Sequence, residues 1–203
     1  MTDLVKRQLA QSIATMTRVL RDESIHQALV SAARITSDAM QSGHKLLVCG
    51  NGGSAADAQH LAAEFVARLT VDRPALRAIA LTTDSSVLTA VGNDHAYEKI
   101  FERQVEALGQ SGDVLLAIST SGNSRNCVKA LRLAQTLGLR TIAFTGNHGG
   151  VMKNLAEINI IVPSETTMNI QESHLALEHI LCMLVERFTF GEEFGERPRL
   201  LSE

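Results

Sequence analysis

Two small-residue turns and one helical pair hold the residue types that could do chemistry. Cys49-Gly50-Asn51-Gly52-Gly53-Ser54-Ala55-Ala56-Asp57 follows the run Lys45-Leu46-Leu47-Val48, and Ser119-Thr120-Ser121-Gly122-Asn123-Ser124 follows Val114-Leu115-Leu116-Ala117-Ile118. Each reads as strand, polar turn, helix. That order brings free backbone N–H groups and hydroxyls to a helix N-terminus, which suits an anion such as phosphate. Gly52 and Gly53 permit close backbone approach, and Ser54 is placed to cap the helix that follows. In the second turn Ser119, Thr120, Ser121 and Ser124 cluster four hydroxyls, which hold a phosphate without adding charge and so let a substrate leave. Taken singly, either turn could be no more than a tight turn, and Ser124 could simply cap a helix beginning near Arg125. The first turn lacks G-x-G-x-x-G, and no Gly-Lys-Ser/Thr follows it, which argues against dinucleotide and Walker-type nucleotide sites.

His60 and Glu64 lie just past the first turn, four residues apart and therefore on one helical face. They can act as an acid/base pair or as two metal ligands; otherwise they make an ordinary surface contact. Their place beside an anion cradle favours chemistry, and the combination points to sugar phosphates. Near the C-terminus, Gln171, Glu172, His174, Glu178 and His179 share one helical segment. Helical geometry leaves open which histidine matters. Gln171 and His179 are about 80° apart around an ideal helix, and His174 with Glu178 makes the better-aligned pair. Asn93-Asp94 reads either as a turn or as a polar pair facing sugar hydroxyls, and Asp84 is equally open.

These residues need a frame to hold them. Apolar residues recur at helical spacing from Leu4 to Leu20 and from Ile25 to Gln41, ending at Gly43, so the chain opens with a helical hairpin or a kinked helix. Continuous apolar runs follow at Leu46–Cys49, Ala78–Leu81, Val114–Ile118, Thr141–Phe144 and Ile158–Val162. Such runs suit strands covered on both faces. Helical segments near 55–69, 97–108, 125–137 and 168–188 separate them. The alternation predicts an α/β fold, a three-layer doubly wound parallel sheet with N-terminal helices. Ligands bind such sheets at the carboxyl ends of strands, where both turns lie. The expected organisation is a single domain over 1–190, with a helical extension to about residue 42 and a polar tail over 191–203.

The 203 residues carry a net charge of -3, which argues against a general nucleic-acid binder. No stretch reaches membrane-spanning length, and Met1 to Gln8 lacks the apolar core of a secretory signal. Cys49, Cys127 and Cys182 are far apart and odd in number, which fits a reducing cytoplasm better than a disulfide framework. With no Trp and one Tyr, base-stacking platforms are not expected.

As a set, several motifs resemble the phosphoheptose isomerases. They are Gly50 to His60 with Glu64, Ala80-Leu81-Thr82-Thr83-Asp84, Gly92-Asn93-Asp94, Gly112 to Ser124, Thr145 to Gly150, and Ile170-Gln171-Glu172-Ser173-His174. The match runs in order from the N-terminal helices to about Gly191. The resemblance implies the flavodoxin-like sugar isomerase (SIS) fold and conversion of sedoheptulose 7-phosphate to D-glycero-D-manno-heptose 7-phosphate. That step leads to the heptose of lipopolysaccharide cores or other bacterial glycans. It also implies a cytoplasmic homotetramer with one Zn2+ per subunit. Residue by residue, Ser119, Thr120, Ser121 and Ser124 would hold the phosphate. Asn51, Gly52, Gly53 and Ser54, with Asn93, Asp94 and Gln171, would bind the sugar. Glu64 and His179 match the acid/base residues, and His60, Glu64, Gln171 and His179 match the zinc ligands. Other readings are a non-catalytic SIS scaffold that binds the replication initiator DnaA, and a sugar-phosphate-sensing regulator. The intact Glu64 and first turn favour the enzyme over the scaffold. The absence of a basic recognition helix disfavours the regulator.

Overall fold

Two helices precede the sheet in the computed structural model, which describes residues 1–191 and 194. α1 (Thr2–Arg21) and α2 (Glu23–Gln41) are separated by Asp22, whose Oδ1 accepts the Ser24 and Ile25 N–H groups. A capped break therefore divides the opening helical stretch into two helices. Five strands follow: β1 (Leu46–Gly50), β2 (Ala78–Ala80), β3 (Val114–Ser119), β4 (Arg140–Gly146) and β5 (Ile158–Val162). They are all parallel, in the order β2-β1-β3-β4-β5. That is the expected doubly wound arrangement, with its switch point between β1 and β3. The register pairs Gly50 with Ile118, so the chain leaves β1 and β3 side by side and the two polar turns meet.

The connecting helices are α3 (Gly53–Val66), α4 (Ser85–Asp94), α5 (Ile100–Leu108), α6 (Arg125–Thr136) and α7 (Thr167–Phe190). Leu46, Val48, Leu116, Ile118 and Phe144 point from the sheet into a core shared with α2, α3 and α7. Leu47, Cys49, Leu115, Ala117 and Ala143 point the other way, towards α5 and α6. Both faces of the sheet are covered, which is why its strands read as continuous apolar runs rather than alternating ones. At the edge away from the turns, buried Asp113 accepts from the Lys45 N–H and the Gln110 N–H and pairs with the Lys45 ammonium at 2.6 Å.

Three local expectations change. Asn93-Asp94 is not a turn but the last turn of α4, a helix the sequence reading did not foresee. Asp84 resolves as its N-cap, with Oδ1 accepting the Val87 N–H at 3.0 Å. Ser54 is not a cap, because α3 begins at Gly53 and Gly52 (φ +56°) occupies the N-cap position. The polar tail expected from residue 191 lies, apart from Gly191 and Phe194, outside the described residues. α1 lies against α7 and buries only Thr15 and Val19, leaving Leu4, Val5, Leu9, Ile13, Met16 and Leu20 exposed. Among the described residues no helix is long and apolar enough to cross a membrane.

Candidate active site

The two turns enclose a cleft of about 300 Å3 at the carboxyl end of the sheet. Asn51 to Ser54 line it from one turn, Ile118 to Thr120 and Ser124 from the other, and Thr167 and Gln171 from α7. Among the described residues no charged side chain contributes to this lining. Ser124 occupies the N-cap position of α6 but makes no side-chain cap; its Oγ meets the Ser119 Oγ at 2.9 Å instead. The hydroxyl is thus turned into the cleft. The second turn is braced from behind. Gly122 (φ +65°) packs its backbone against Gly149, where a Cβ would collide, and the Asn123 Oδ1 accepts the Val151 N–H at 3.0 Å. Ser121 lies outside the lining and uses its Oγ to accept the Asn123 N–H.

Asn51 is locked. Its Nδ2 donates to the Asn126 Oδ1 at 2.9 Å, and its Oδ1 accepts from the Asn126 Nδ2 at 2.8 Å and from the Tyr97 hydroxyl at 3.1 Å. The side chain is therefore committed to the fold. Tyr97 and Asn126 were not candidates on sequence grounds. Nothing short-range marks them, because their partner lies 46 or 75 residues away.

The second part of the site is the seam between α3 and α7. Gln171 packs against Gly53, and His179 meets His60. These contacts advance together, so the two helices run in the same direction away from the cleft. His60 Nε2 and His179 Nε2 are 2.8 Å apart, and Glu64 Oε1 is 3.6 Å from His60 Nε2. Seven residues of helix separate Gly53 from His60, which puts this cluster about 10 Å along the axis from the cleft and on the same face. Behind it lie Asp57 and Glu178. Both Glu178 carboxyl oxygens and Asp57 Oδ2 are buried without a hydrogen-bond partner among the described residues. Burial, with the facing Asp57 charge, pushes the Glu178 carboxyl up to about 8, and burial also raises Asp57. His174 does not pair with Glu178. It is fully buried, with Nε2 3.0 Å from the Thr145 carbonyl, and desolvation lowers its pKa to about 4. Of the two histidines, His179 is the one that the fold brings beside His60 and Glu64. Asn93 and Asp94 do not line the cleft, and the Asn93 Nδ2 donates to the Asp94 Oδ1 at 2.8 Å.

Residues 9–146 match the SIS domain family model. The chain is 57% identical over 159 residues to the phosphoheptose isomerase of Akkermansia muciniphila, covering 78% of this chain and 84% of that one. It is 48% identical over 196 residues to the phosphoheptose isomerase of Clostridium acetobutylicum, covering 97% of this chain and 100% of that one. The chain belongs to the phosphoheptose isomerase family of SIS domains. Its fold superposes on the structure of phosphoheptose isomerase GmhA from Neisseria gonorrhoeae with a TM-score of 0.86, at 39% identity over 91% of this chain and 98% of that one.

Within this SIS domain, His60, Glu64 and His179 offer three ligand atoms within 4.8 Å of one another. Two imidazole nitrogens and a carboxylate are a donor set that zinc accepts. Tetrahedral zinc sets neighbouring nitrogens about 3.3 Å apart, so the histidine pair, at 2.8 Å, would open slightly to admit the ion. Gln171, the fourth expected ligand, does not join them: it sits eight residues, about 12 Å, before His179 on the same helix and packs against Gly53. The three-residue donor set fits.

Proposed function

We propose that the protein is an aldose–ketose isomerase that interconverts sedoheptulose 7-phosphate and D-glycero-D-manno-heptose 7-phosphate in the cytoplasm, supplying heptose for lipopolysaccharide core or other bacterial glycans. One observation carries this reading: an uncharged hydroxyl and amide cradle shares a helix face with the His60–Glu64–His179 cluster, about 10 Å away. Such a site suits a substrate with phosphate at one end of a long chain and reacting carbons at the other. The cradle holds the phosphate through Ser119, Thr120, Ser124 and the α6 N-terminus. Asn51, Gly52, Gly53 and Ser54, with Gln171, meet the sugar through backbone and side-chain groups. Remote phosphate binding then fixes the reacting end without touching it.

At that end Glu64 removes a proton from C1 of the ketose. His179 gives a proton to the C2 oxygen, and an enediol results. Glu64 returns its proton to C2 as His179 takes the proton from the C1 oxygen, leaving the aldehyde. His60, 2.8 Å from His179, holds that imidazole in place and fixes which nitrogen carries the proton. Zinc, held by His60, Glu64 and His179, would supply positive charge that stabilises the developing oxyanion.

We also infer a homotetramer. The uncovered apolar stripe of α1, from Leu4 to Leu20, supports self-association. A DnaA-binding scaffold would need no acid/base cluster, so the cluster weighs towards the enzyme. The test is proton NMR of the purified, zinc-supplied protein mixed with sedoheptulose 7-phosphate. Growth of aldoheptose phosphate anomeric signals is expected, and an unchanged spectrum from folded protein would overturn the reading.

A further inference from the structure

Arg73 lies in the connection between α3 and β2, and its side chain is 0% exposed, against 3% for Glu186 on α7. Its Nε donates to Glu186 Oε1 at 2.6 Å. Its Nη2 donates to the Glu64 carbonyl at 2.8 Å, and its Nη1 to the Phe65 carbonyl at 2.8 Å and the Pro74 carbonyl at 3.1 Å. Glu64 and Phe65 belong to the last turn of α3, where carbonyls lack intrahelical partners and the helix dipole is negative. A planar guanidinium has donors enough to fork between that helix end and a carboxylate; a lysine ammonium has the charge but not the fork. Glu186 stands two turns beyond His179 on the same helix.

We propose that Arg73 is a positioning residue: one rigid cation that sets the separation and register of α3 and α7, and through them the distance from Glu64 to His179. Three observations converge on this. The clamp grips Glu64 by its own main chain. It grips α7 just below the histidine that Glu64 must work with. It is sealed from water, so neither bond is weakened by solvent competition. The inference rests on Glu64 and His179 being the reacting groups.

A purely structural ion pair predicts something different. Buried pairs are often replaced by apolar residues of similar volume with no loss of stability. The test is therefore Arg73→Met combined with Glu186→Leu, alongside Arg73→Lys, each assayed with sedoheptulose 7-phosphate. The double variant is expected to melt within a few degrees of the parent yet lose about tenfold or more in kcat, with KM near the parent value. The imidazole 15N signals of His60 and His179 should shift in the same protein. A double variant with parent melting, parent kcat and parent histidine signals would overturn the clamp. Should the double variant fail to fold, Arg73→Lys decides: it keeps the charge beside Glu186 but lacks the fork to both carbonyls. A tenfold loss of kcat at unchanged melting temperature is expected there, and parent kcat would overturn the proposal. Glu64→Gln run in parallel separates the two failures. Retained turnover in Glu64→Gln removes the catalytic reading, and the histidine signals still decide whether Arg73 sets the geometry.

Discussion

The cleft and the seam are built by opposite means. The cleft uses backbone groups and hydroxyls, and its polar atoms find partners within the fold: Ser119 with Ser124, Asn51 with Asn126 and Tyr97. The seam uses titratable side chains from two helices, and several of them are left wanting. Glu178 and Asp57 keep buried oxygens without partners among the described residues, and two imidazole nitrogens face each other. A group that must hold a phosphate can be satisfied in advance, because hydroxyls and N–H groups change little when the ligand arrives. A group that must take and return protons, or hold a metal, has to keep its lone pairs available. The partnerless oxygens of Asp57 and Glu178 lie just behind the proposed reactive end, while Thr145, Asn159 and His174 each keep one such atom elsewhere among the described residues.

The sharpest way to break this division is Glu64→Gln. It should lower kcat by about 10³-fold while KM stays within about twofold, because the cleft is untouched. Steady-state kinetics decide, and near-normal turnover would erase the distinction. The next effect is on stability. His174 is held neutral in the fold with a pKa near 4, against 6.5 for the free side chain. The unfolded chain therefore takes up a proton first as pH falls. The contribution is fully present above pH 6.5, fades as pH drops to about 4, and amounts to about 3 kcal/mol. Urea melts at pH 7 and pH 4.5 should show this loss in the parent and not in His174→Gln; parallel pH dependence in both would refute it. Smaller still is Ser124→Ala. It should raise KM about tenfold with kcat nearly unchanged, since it removes one donor to the phosphate. An equal fall in kcat would mean that the cleft also shapes the reacting end. The smallest is Tyr97→Phe. Asn126 still holds the Asn51 amide, so the cost should stay under about 1 kcal/mol in a denaturant melt. A larger loss would show the lock to be more fragile than its geometry implies.

The fold was legible because both faces of the sheet are covered, which makes β1 and β3 continuous apolar runs that cannot be mistaken for amphipathic elements. Both polar turns were legible for the same reason: each follows such a run. α4 was not, because it buries none of its residues and so leaves only a faint apolar period around Val87 and Val91. His60 and Glu64 share one helix, and their pairing could be counted along the chain. The choice of His179 over His174 could not, since it depends on how α7 is rotated against α3, a tertiary matter. Arg73 was invisible for a stronger reason. Its value lies in a carboxylate 113 residues away and two carbonyls at a helix end, and no local pattern encodes either.

The meeting of His60 with His179, 119 residues apart, also sets an order of events during synthesis. At ordinary translation rates His60 and Glu64 leave the ribosome roughly ten seconds before His179 follows. From about the middle of that interval the nascent chain holds both polar turns, with His60 and Glu64 but not His179. It can bring the two turns together, but it lacks the α7 side of the cleft and, on the proposed roles, the partner with which to exchange a proton. Docking of α7 brings His179 to His60 and Glu64, so on the proposed roles an unfinished polypeptide would be chemically inert.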